Sequence, residues 1–321
     1  MSQVRIGVIG LGMMGRHHGR LCQSLDAFDF VGAVDPQGDQ YGVIHQGQVF
    51  ADTDSLLKEG IDAAVIAVPT HLHYQTAMEL REAGIHVLIE KPLAESTTEA
   101  AEIVEAFKDS GLVAAVGHVE RCNPALGEMR RRLNDGQLGP VFSISTVRTG
   151  PFPARITDVG VVKDLATHDI DIVRWLAGEI SEVHSVTKHK MGRQHEDLMV
   201  AVGLAGENVA VSMQVAWISP IKQRSVTVLG EKGALQADLL SSDLTFFENG
   251  HTSSEWEAIQ QMRGVTEGNV TRYAFSKSEP IQIELLRFKE AIAGGPSDDL
   301  VSLEDGLRTL QVAEDLIKEN Q

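Results

Sequence analysis

A glycine-rich turn near the start of the chain constrains the fold more than any other feature. Gly10, Gly12 and Gly15 form a GxGxxG pattern directly after an apolar stretch at residues 4–9, and a helical pattern follows. The first glycine permits a tight bend, the second lets the backbone approach a pyrophosphate, and the third allows the helix to pack closely on the strand. The unpaired N–H groups of that helix would bind the pyrophosphate. The pattern predicts a unit that binds a dinucleotide.

An acidic residue follows the next predicted strand. Asp35 comes directly after residues 30–34, where a carboxylate can accept hydrogen bonds from the adenosine ribose. A 2'-phosphate about 4 Å from this carboxylate would be repelled by roughly 4 kcal/mol at an effective dielectric of 20. Pro36, Gln37 and Gly38 bring no positive charge to offset the repulsion. The sequence therefore favours NAD over NADP, and the alternative interpretation is a solvated loop aspartate.

The rest of the chain predicts two domains. Short β-branched stretches alternate with helical patterns in the first part, which is typical of βαβ units and a parallel sheet. Beyond Pro124 the stretches alternate apolar with polar residues, which favours an antiparallel sheet. We expect an α/β fold, with a doubly wound Rossmann domain over residues 1–122 and an α+β domain with a large, mostly antiparallel open sheet over 123–321. The second domain would bind substrate and form oligomers, and its C-terminal helix could pack back on the first.

Several elements can be located in advance. Ser96 and Glu99 form a capping box ahead of apolar residues at helical spacing, so a helix is expected there. The other predicted helices span 281–293 and 303–318. The predicted strands span 4–9, 30–34, 63–68, 86–89, 113–116, 141–148, 209–217 and 225–229.

Composition excludes several classes of protein. A formal net charge of -17 would repel a phosphate backbone, so nucleic acid is a poor partner. No apolar stretch approaches the roughly 18 residues that a membrane span needs, and no signal-peptide pattern opens the chain. The two cysteines, Cys22 and Cys122, lie far apart and fit a reducing compartment. We expect a cytoplasmic protein with no membrane partner.

One catalytic candidate stands at the end of a predicted strand. Glu90 and Lys91 precede Pro92, and the carboxyl ends of parallel strands face the crevice where ligands bind. The proline restricts Lys91 to extended geometry, which would hold its side chain. Taken alone, a lysine in this position is more often a solvated surface group.

A second candidate lies in the other half of the chain. Asp164, His168 and Asp171 have i, i+4 and i+7 spacing and would share one helix face. Histidine exchanges protons near neutral pH, and a carboxylate one turn away can fix its tautomer. A solvent-exposed stripe is the alternative. No metal is expected, because a third ligand at a recognisable spacing is missing and His71 and His73 would diverge on a helix.

Together these motifs resemble the Gfo/Idh/MocA oxidoreductases nearly end to end. The resemblance implies that Lys91 contacts nicotinamide and substrate, that the following proline is often cis, and that Asp164 and His168 handle the proton. Gly160-Val161-Val162-Lys163 departs from the glycine-rich stretch usual in the family. The matching residues are Gly10 to Gly15 with His18, Val68-Pro69-Thr70 with His73, Glu90-Lys91-Pro92, Val116-Gly117-His118 with Arg121, Asn123 and Pro124, the Asp164, His168 and Asp171 spacing, and Leu229 to Leu235.

The resemblance also implies sets of binding residues. The expected NAD contacts are Gly10, Gly12, Met13, Met14, Gly15, Asp35, Pro69, Thr70, His73, Glu90 and Lys91. The expected substrate contacts are Lys91, His118, Arg121, Asn123, Arg148, Arg155, Asp164 and His168.

Charge and resemblance together suggest a substrate. Residues 141–163 carry Arg148, Arg155 and Lys163 against Asp158, which indicates an anionic substrate, unless these cations pair with surface acids. The stretch 150–162 resembles members that oxidise the 3-hydroxyl of UDP-N-acetylglucosamine. A dehydrogenase of myo-inositol or another free polyol is the alternative. A non-catalytic sugar or NAD(H) sensor is an alternative of another class, although it would have no need of a proton-transfer group.

The expected reaction and assembly follow from these assignments. His168, oriented by Asp164, would accept the hydroxyl proton while Lys91 polarises the oxygen and hydride passes to nicotinamide; Lys91 could equally be the base. Alternate residues of the predicted strand at 209–217 form an apolar face and a small, weakly polar face. We expect the apolar face to pack on the domain's own helices and the other to meet another subunit's sheet in a homodimer or homotetramer.

Overall fold

The computed structural model describes residues 3–152, 159–250, 267–297 and 300–318. By contacts the chain divides into two compact units, one comprising Met1–Cys122 with Ser278–Gln311 and the other Asn123–Lys277 with Val312–Gln321. The division of cofactor and substrate between these units stays a prediction.

The first unit is built on a six-stranded parallel sheet. Its strand order is β3-β2-β1-β4-β5-β6, so the order reverses between β1 and β4, which in such sheets is where nucleotides bind. The sheet is apolar and buried, as parallel sheets covered on both faces are. Its strands are β1 (Val4–Ile9), β2 (Phe28–Val34), β3 (Gln48–Phe50), β4 (Ala63–Ile66), β5 (His86–Glu90) and β6 (Ala114–Gly117).

Six helices are assigned to or begin in this unit. Helix α4 begins with the predicted capping box, in which Ser96 accepts a hydrogen bond from the Glu99 backbone and the Glu99 carboxylate accepts one from the Ser96 backbone. The helices are α1 (Gly15–Ser24), α2 (Thr53–Lys58), α3 (His73–Glu82), α4 (Thr97–Phe107), α7 (Pro280–Ile292) and α8 (Leu303–Lys318); the division between the units falls within α8.

The second unit is built on an eight-stranded sheet. Its order is β14-β13-β12-β11-β7-β10-β9-β8, and all neighbours pair antiparallel except β7 and β10. Helices α5 (Pro124–Asn134) and α6 (Thr167–Ala177) belong to this unit. The predicted α/β class and the mostly antiparallel second sheet are confirmed. The strands are β7 (Val141–Pro151), β8 (Ile180–Lys188), β9 (Leu198–Ala205), β10 (Val209–Ala216), β11 (Ile218–Gly230), β12 (Gly233–Asp238), β13 (Asp243–Asn249) and β14 (Glu267–Arg272).

The two faces of the second sheet differ. In β10 the side chains of Val211, Met213 and Val215 are buried in the unit's core, whereas Ala210 and Gln214 on the other face are exposed. One face of the sheet thus forms the core, as expected for this strand.

The helices were also compared with what a membrane span requires. Within the described ranges, none is both long enough and apolar enough to cross a bilayer.

Candidate functional site

The glycine turn after β1 has the geometry that a pyrophosphate site needs. Gly10 has a φ of +91°, and a Cβ there would lie 2.6 Å from the Ala67 carbonyl oxygen. A Cβ on Gly15 would lie 1.8 Å from the Gly10 oxygen, so these two glycines are needed for packing. A Cβ on Gly12 would meet no described heavy atom within 4 Å. The middle glycine therefore faces open space, where a ligand can approach the backbone.

The start of helix α1 complements this turn. No side chain of the described chain caps the helix, and its first turn carries no acidic residue. The N–H groups of Arg16 and His17 donate to the carbonyl oxygens of Gly12 and Met14, and no side-chain charge offsets the positive end of the helix dipole, which favours a nearby anion. Met13 and Met14, both partly exposed, lie in the turn itself. The residues present fit a dinucleotide pyrophosphate.

Asp35 lies beside the glycine turn. Its Oδ2 accepts a hydrogen bond of 2.9 Å from the backbone N–H of Leu11, and its Oδ1 accepts one of 2.9 Å from that of Gln37. These bonds fix the carboxylate at the carboxyl end of β2. Each oxygen retains acceptor capacity for a ribose hydroxyl, which supports the ribose assignment over a solvated aspartate.

The loops after β4 and β5 are joined by a buried histidine. Nδ1 of His73 lies 2.9 Å from the Pro92 carbonyl oxygen, and Nε2 lies 3.0 Å from that of Val68. Burial lowers the pKa of His73. The Lys91–Pro92 peptide bond is cis. His73 thus ties together the loops that carry the other predicted cofactor contacts, Pro69, Thr70 and Lys91.

A buried acidic cluster lies behind the end of β5. Nε2 of His18 donates a hydrogen bond of 2.7 Å to Oε1 of Glu90, and both side chains are buried. A Cβ on Gly117 would lie 3.3 Å from the Glu90 Oε2, so glycine leaves room for this carboxylate. Glu284 of α7 is also buried and interacts electrostatically with Glu90. Glu90, predicted to contact the cofactor, therefore has its carboxylate held inside the unit.

Sequence reasoning missed Glu284, although a signal was present. Ile281, Glu284, Leu285 and Phe288 occupy i, i+3, i+4 and i+7 positions, so this acid stands on the apolar face of its helix. A carboxylate on a core-facing position is rare unless it is paired or protonated.

Replacing Glu284 by glutamine should make stability less dependent on pH. Burial, and after it the charge of Glu90, raises the pKa of Glu284 well above its usual 4.5. Above that unfolded-state value the folded protein holds a proton that the unfolded chain releases, so the free energy of unfolding should fall as pH rises through the folded-state pKa. Glutamine carries no such proton. Urea unfolding between about pH 5 and 8 measures the difference.

The matched control for this prediction is Glu290→Gln, since Glu290 is an exposed acid on the same helix. Its pH dependence should follow that of the unaltered protein. A fall in stability with pH that is equally steep in Glu284→Gln would contradict the prediction.

Three further residues predicted to bind substrate are buried. His118 follows β6, Arg121 pairs with Asp305 at 3.1 Å, and Asn123 caps helix α5 by accepting a hydrogen bond of 3.1 Å from Ala125 N–H. Arg121 and Asn123 therefore have structural partners in this state of the protein.

Asp164 and His168, the pair predicted to handle the proton, lie at a π turn of the second unit. Val162–Ala166 forms a single π-helical turn that leads into α6. Asp164 lies in this turn and His168 in the first turn of α6, and both are partly exposed, whereas Asp171 is buried. Predicting one uninterrupted α-helical face was therefore wrong, because a π turn inserts an extra residue into the helix. Such turns are frequent at functional sites.

Glu196 stabilises the π turn through two hydrogen bonds. Glu196 accepts a hydrogen bond of 2.9 Å from the Val162 N–H through Oε1, and its carbonyl oxygen accepts one of 3.0 Å from the Val161 N–H. A Cβ on Gly160 would lie 2.1 Å from the Glu196 Oε1. The single glycine of this stretch is thus required for Glu196 to cap the turn that carries Asp164.

Arg148 does not face solvent as a substrate-binding cation would. Its Nε donates a hydrogen bond of 2.9 Å to Oδ1 of Asp169, and each side chain is only 2% exposed. The expectation of a free positive charge at this position therefore needs correction, because Asp169 neutralises it. Lys163 is partly exposed, and Arg155 lies outside the described residues.

In the part of the chain that the structure describes, His, Cys, Asp and Glu residues form no group of three that could hold a metal ion.

An open glycine turn, a helix start without a side-chain cap and a carboxylate fixed beside them define a dinucleotide-binding Rossmann protein. Residues 4–118 match the family model described as "Oxidoreductase family, NAD-binding Rossmann fold", and residues 126–236 match the GFO/IDH/MocA C-terminal domain. The chain belongs to the GFO/IDH/MocA oxidoreductase family, and its cofactor is accordingly NAD.

Two characterised relatives show how far the sequence similarity extends. UDP-N-acetylglucosamine 3-dehydrogenase of Acidithiobacillus ferrooxidans is 30% identical over 222 residues, which cover 68% of this chain and 64% of the relative. The scyllo-inositol 2-dehydrogenase (NAD(+)) of Bacillus subtilis is 32% identical over 197 residues, which cover 58% and 57%. The match thus spans less than two thirds of either relative.

Solved structures confirm the fold over the whole chain. UDP-N-acetylglucosamine 3-dehydrogenase from Acidithiobacillus ferrooxidans has a TM-score of 0.84 at 24% identity, covering 100% of this chain and 98% of that one. Levoglucosan dehydrogenase in complex with NADH and levoglucosan has a TM-score of 0.83 at 19% identity, covering 99% and 97%. At these identities the likeness establishes the fold.

Proposed function

We propose that this protein oxidises a secondary alcohol of a sugar and transfers the hydride to NAD. The observation that carries the proposal is a partly exposed imidazole and carboxylate, His168 and Asp164, at a π turn of a GFO/IDH/MocA C-terminal domain. A sensor of sugar or NAD(H) has no use for a proton-transfer pair. Lys91, partly exposed after β5, completes the proposed catalytic set.

Each residue has a chemical role in this proposal. The hydroxyl proton passes to His168, Asp164 orients the imidazole, and the Lys91 ammonium donates a hydrogen bond to the oxygen that becomes the carbonyl. Bound NAD supplies the nicotinamide ring that accepts the hydride. The alcohol thereby loses one proton and one hydride, and NADH and a keto sugar are formed. The reverse assignment, with Lys91 as the base, predicts that the His168 variant retains the acidic limb of the pH profile, the fall in rate as the base becomes protonated.

For the substrate we propose a UDP-linked N-acetylhexosamine oxidised at its 3-hydroxyl. Support comes from the similarity to UDP-N-acetylglucosamine 3-dehydrogenase. The local charge argument is weaker than it was from sequence, since Arg148 pairs with Asp169. A free polyol is the second candidate because an inositol dehydrogenase shows similar identity over a shorter alignment.

Initial rates of NADH formation over a substrate panel test both the proposed reaction and the proposed substrate. The panel contains UDP-N-acetylglucosamine, UDP-N-acetylgalactosamine, N-acetylglucosamine, myo-inositol and scyllo-inositol. We expect the UDP-linked sugars to give the highest kcat/KM. Higher rates with inositols would contradict the proposed substrate but support the proposed reaction, the oxidation of a secondary alcohol by NAD. NAD binding without turnover of any sugar alcohol would favour the sensor.

We also propose a homodimer or homotetramer that forms through the outer face of the eight-stranded sheet. Apolar side chains are exposed there towards both ends of the sheet, including Val202 of β9 at 55% and Val270 of β14 at 62%. Small polar residues lie between them, and Ser212 donates to Ser145 across two strands at 2.8 Å. A broad, exposed apolar sheet face is typical of a surface that a second copy covers. The apolar residues of this face are Val186, Val200, Val202, Leu229, Phe247 and Val270.

Substituting Val202 by aspartate should dissociate this assembly. The change places two unpaired charges in a symmetric interface, and burying an unpaired charge is costly. Light scattering at about micromolar concentration should show the mass falling to that of a smaller assembly or a single chain. Leu286→Asp is the matched control, because Leu286 is an exposed leucine on α7, which is not part of this sheet. A single-chain mass for the unaltered protein would contradict the proposal.

A further inference from the structure

A buried ion pair lies immediately beside the proposed proton acceptor. Arg148 extends from β7, and its Nε donates to Oδ1 of Asp169, the residue that follows His168 in α6. Both side chains are 2% exposed. The pair thus joins the central part of the eight-stranded sheet to the first turn of the helix that carries the imidazole.

Burial makes this pair a poor choice for stability alone. Removing two charges from water costs several kcal/mol per ion, and an apolar pair of similar volume is often as stable or more so. A buried ion pair is therefore better explained by the backbone segment that it holds in place or by the electric field that its charges create. Here the nearest chemically active group along the chain is His168.

Several other charged groups lie on or against this segment in the described residues. Helix α5 places the Arg130 guanidinium over the ring of Trp175 in α6, and Glu196 accepts a hydrogen bond from the π turn. On the helical segment of His168 itself stand Lys163, Asp164, Asp169, Asp171 and Arg174. Of the strands that pack on α6, β7 contributes Arg148. Strands β9 and β10 carry no titratable side chain.

We propose that Arg148 and Asp169 are positioning residues that hold the first turn of α6 and keep the electric field at His168 balanced, so that its imidazole can cycle its proton near neutral pH. This inference rests on the proposed function only for the role of His168 as base. Each charge alone would shift the proton affinity of the imidazole, and together they largely cancel. Arg148, expected from sequence to bind substrate, acts through its neighbour instead.

The two halves of the pair should therefore have opposite effects. Asp169→Asn keeps a hydrogen-bond acceptor but removes the negative charge beside the guanidinium, so the titration midpoint of His168 should fall by about one pH unit. Arg148→Met removes the positive charge beside the Asp169 carboxylate, so the midpoint should rise by about as much. The double variant should return it to the original value. A contact that serves packing alone would not produce shifts of opposite sign.

The measurement does not require activity. The rate at which diethyl pyrocarbonate modifies His168 follows its neutral fraction, and mass spectrometry of the peptide reports the rate at each pH. The basic and acidic limbs of kcat/KM are recorded in parallel. Arg148→Lys keeps the charge but cannot reproduce the guanidinium geometry; it should leave the midpoint in place and lower kcat several-fold.

The matched control lies on the same helix. Arg174 donates to Glu179 at 2.8 Å, and the Glu179 side chain is 54% exposed. Glu179→Gln therefore removes a carboxylate that is exposed to water at the far end of α6, and we expect no change in the His168 midpoint.

The outcomes separate this inference from the proposed function. Opposite shifts in both the modification rate and the kcat/KM profile support both. If the midpoint of the modification rate shifts in opposite directions but the kcat/KM profile does not follow, the role of the ion pair is supported and His168 is not the catalytic base. Shifts in the same direction, or none, overturn the inference. If Arg148→Met does not fold, as judged by circular dichroism, Asp169→Asn and the double variant still decide it.

Discussion

Replacing either Lys91 or His168 by alanine should lower kcat by about 10²- to 10⁴-fold, the usual loss when a general acid or base is removed. This corresponds to roughly 3 to 5 kcal/mol of barrier. NAD affinity should change little, because the pyrophosphate and ribose are expected to bind at other residues, namely the glycine turn, the start of α1 and Asp35. Fluorescence titration with NAD beside steady-state rates separates the two effects.

A further substitution and a control test this prediction more closely. Asp164→Asn should cost less than His168→Ala, because the amide can still accept a hydrogen bond and orient the imidazole. Lys58→Ala is the matched control, since Lys58 is an exposed lysine of the first unit. Near-normal turnover in both alanine variants would show that the active site has been assigned to the wrong residues.

Much of the first unit was predictable because local rules and tertiary packing agree there. The strand Val4–Ile9 and the helix Leu303–Lys318 have the expected bounds. Strand β2 begins at Phe28, before the predicted residue 30, because Phe28 and Asp29 already pair with β1, where the Asp29 side chain also meets Arg5. Periodicity identifies apolar positions but gives no information on such cross-strand partners.

The structure also shortens one predicted strand. Strand β4 ends at Ile66 although the apolar stretch continues to Val68. The reason is the glycine turn, since the Ala67 carbonyl lies so close to Gly10 that a Cβ there would be 2.6 Å away. The strand end is therefore set by a contact between segments far apart in sequence.

The second unit was predictable in class but not in its site. Residue spacing assumes 3.6 residues per turn, and the π turn Val162–Ala166 breaks this period where Asp164 lies. Nor could a count of charges find that Asp169 would neutralise Arg148, because the partner comes from another element. Charge in a segment is a property of composition, whereas charge at a site depends on the fold.

The buried cluster of His18, Glu90 and Glu284 could not be predicted from sequence either. His18 was recognised as part of a motif, but its hydrogen bond to Glu90 joins α1 to β5. Glu284, on α7, interacts electrostatically with the same Glu90 carboxylate. Each residue alone has several ordinary explanations. Only their proximity in the folded unit makes them one buried cluster behind Lys91.

Cofactor choice should change when Asp35 is replaced by alanine. The variant loses the acceptor for the ribose hydroxyls and the bond to Leu11 N–H, so NAD should bind more weakly. NADP loses less, because removing a repulsion of roughly 4 kcal/mol at about 4 Å compensates, and the NAD to NADP affinity ratio should fall by about 10²- to 10³-fold. Adding Gln37→Arg should strengthen NADP binding further.

The control for this change is Asp39→Ala, which removes an equal charge from the same loop without touching the glycine turn, since Asp39 accepts from the Tyr41 and Ile44 N–H groups. Dissociation constants for both cofactors, measured for each variant at one ionic strength, exclude a general charge effect. If Asp35→Ala weakens NAD and NADP equally, the carboxylate serves only to hold the turn, and selectivity against the 2'-phosphate must come from elsewhere. If the ratio changes in Asp35→Ala but not in Asp39→Ala, the ribose contact itself accounts for the preference.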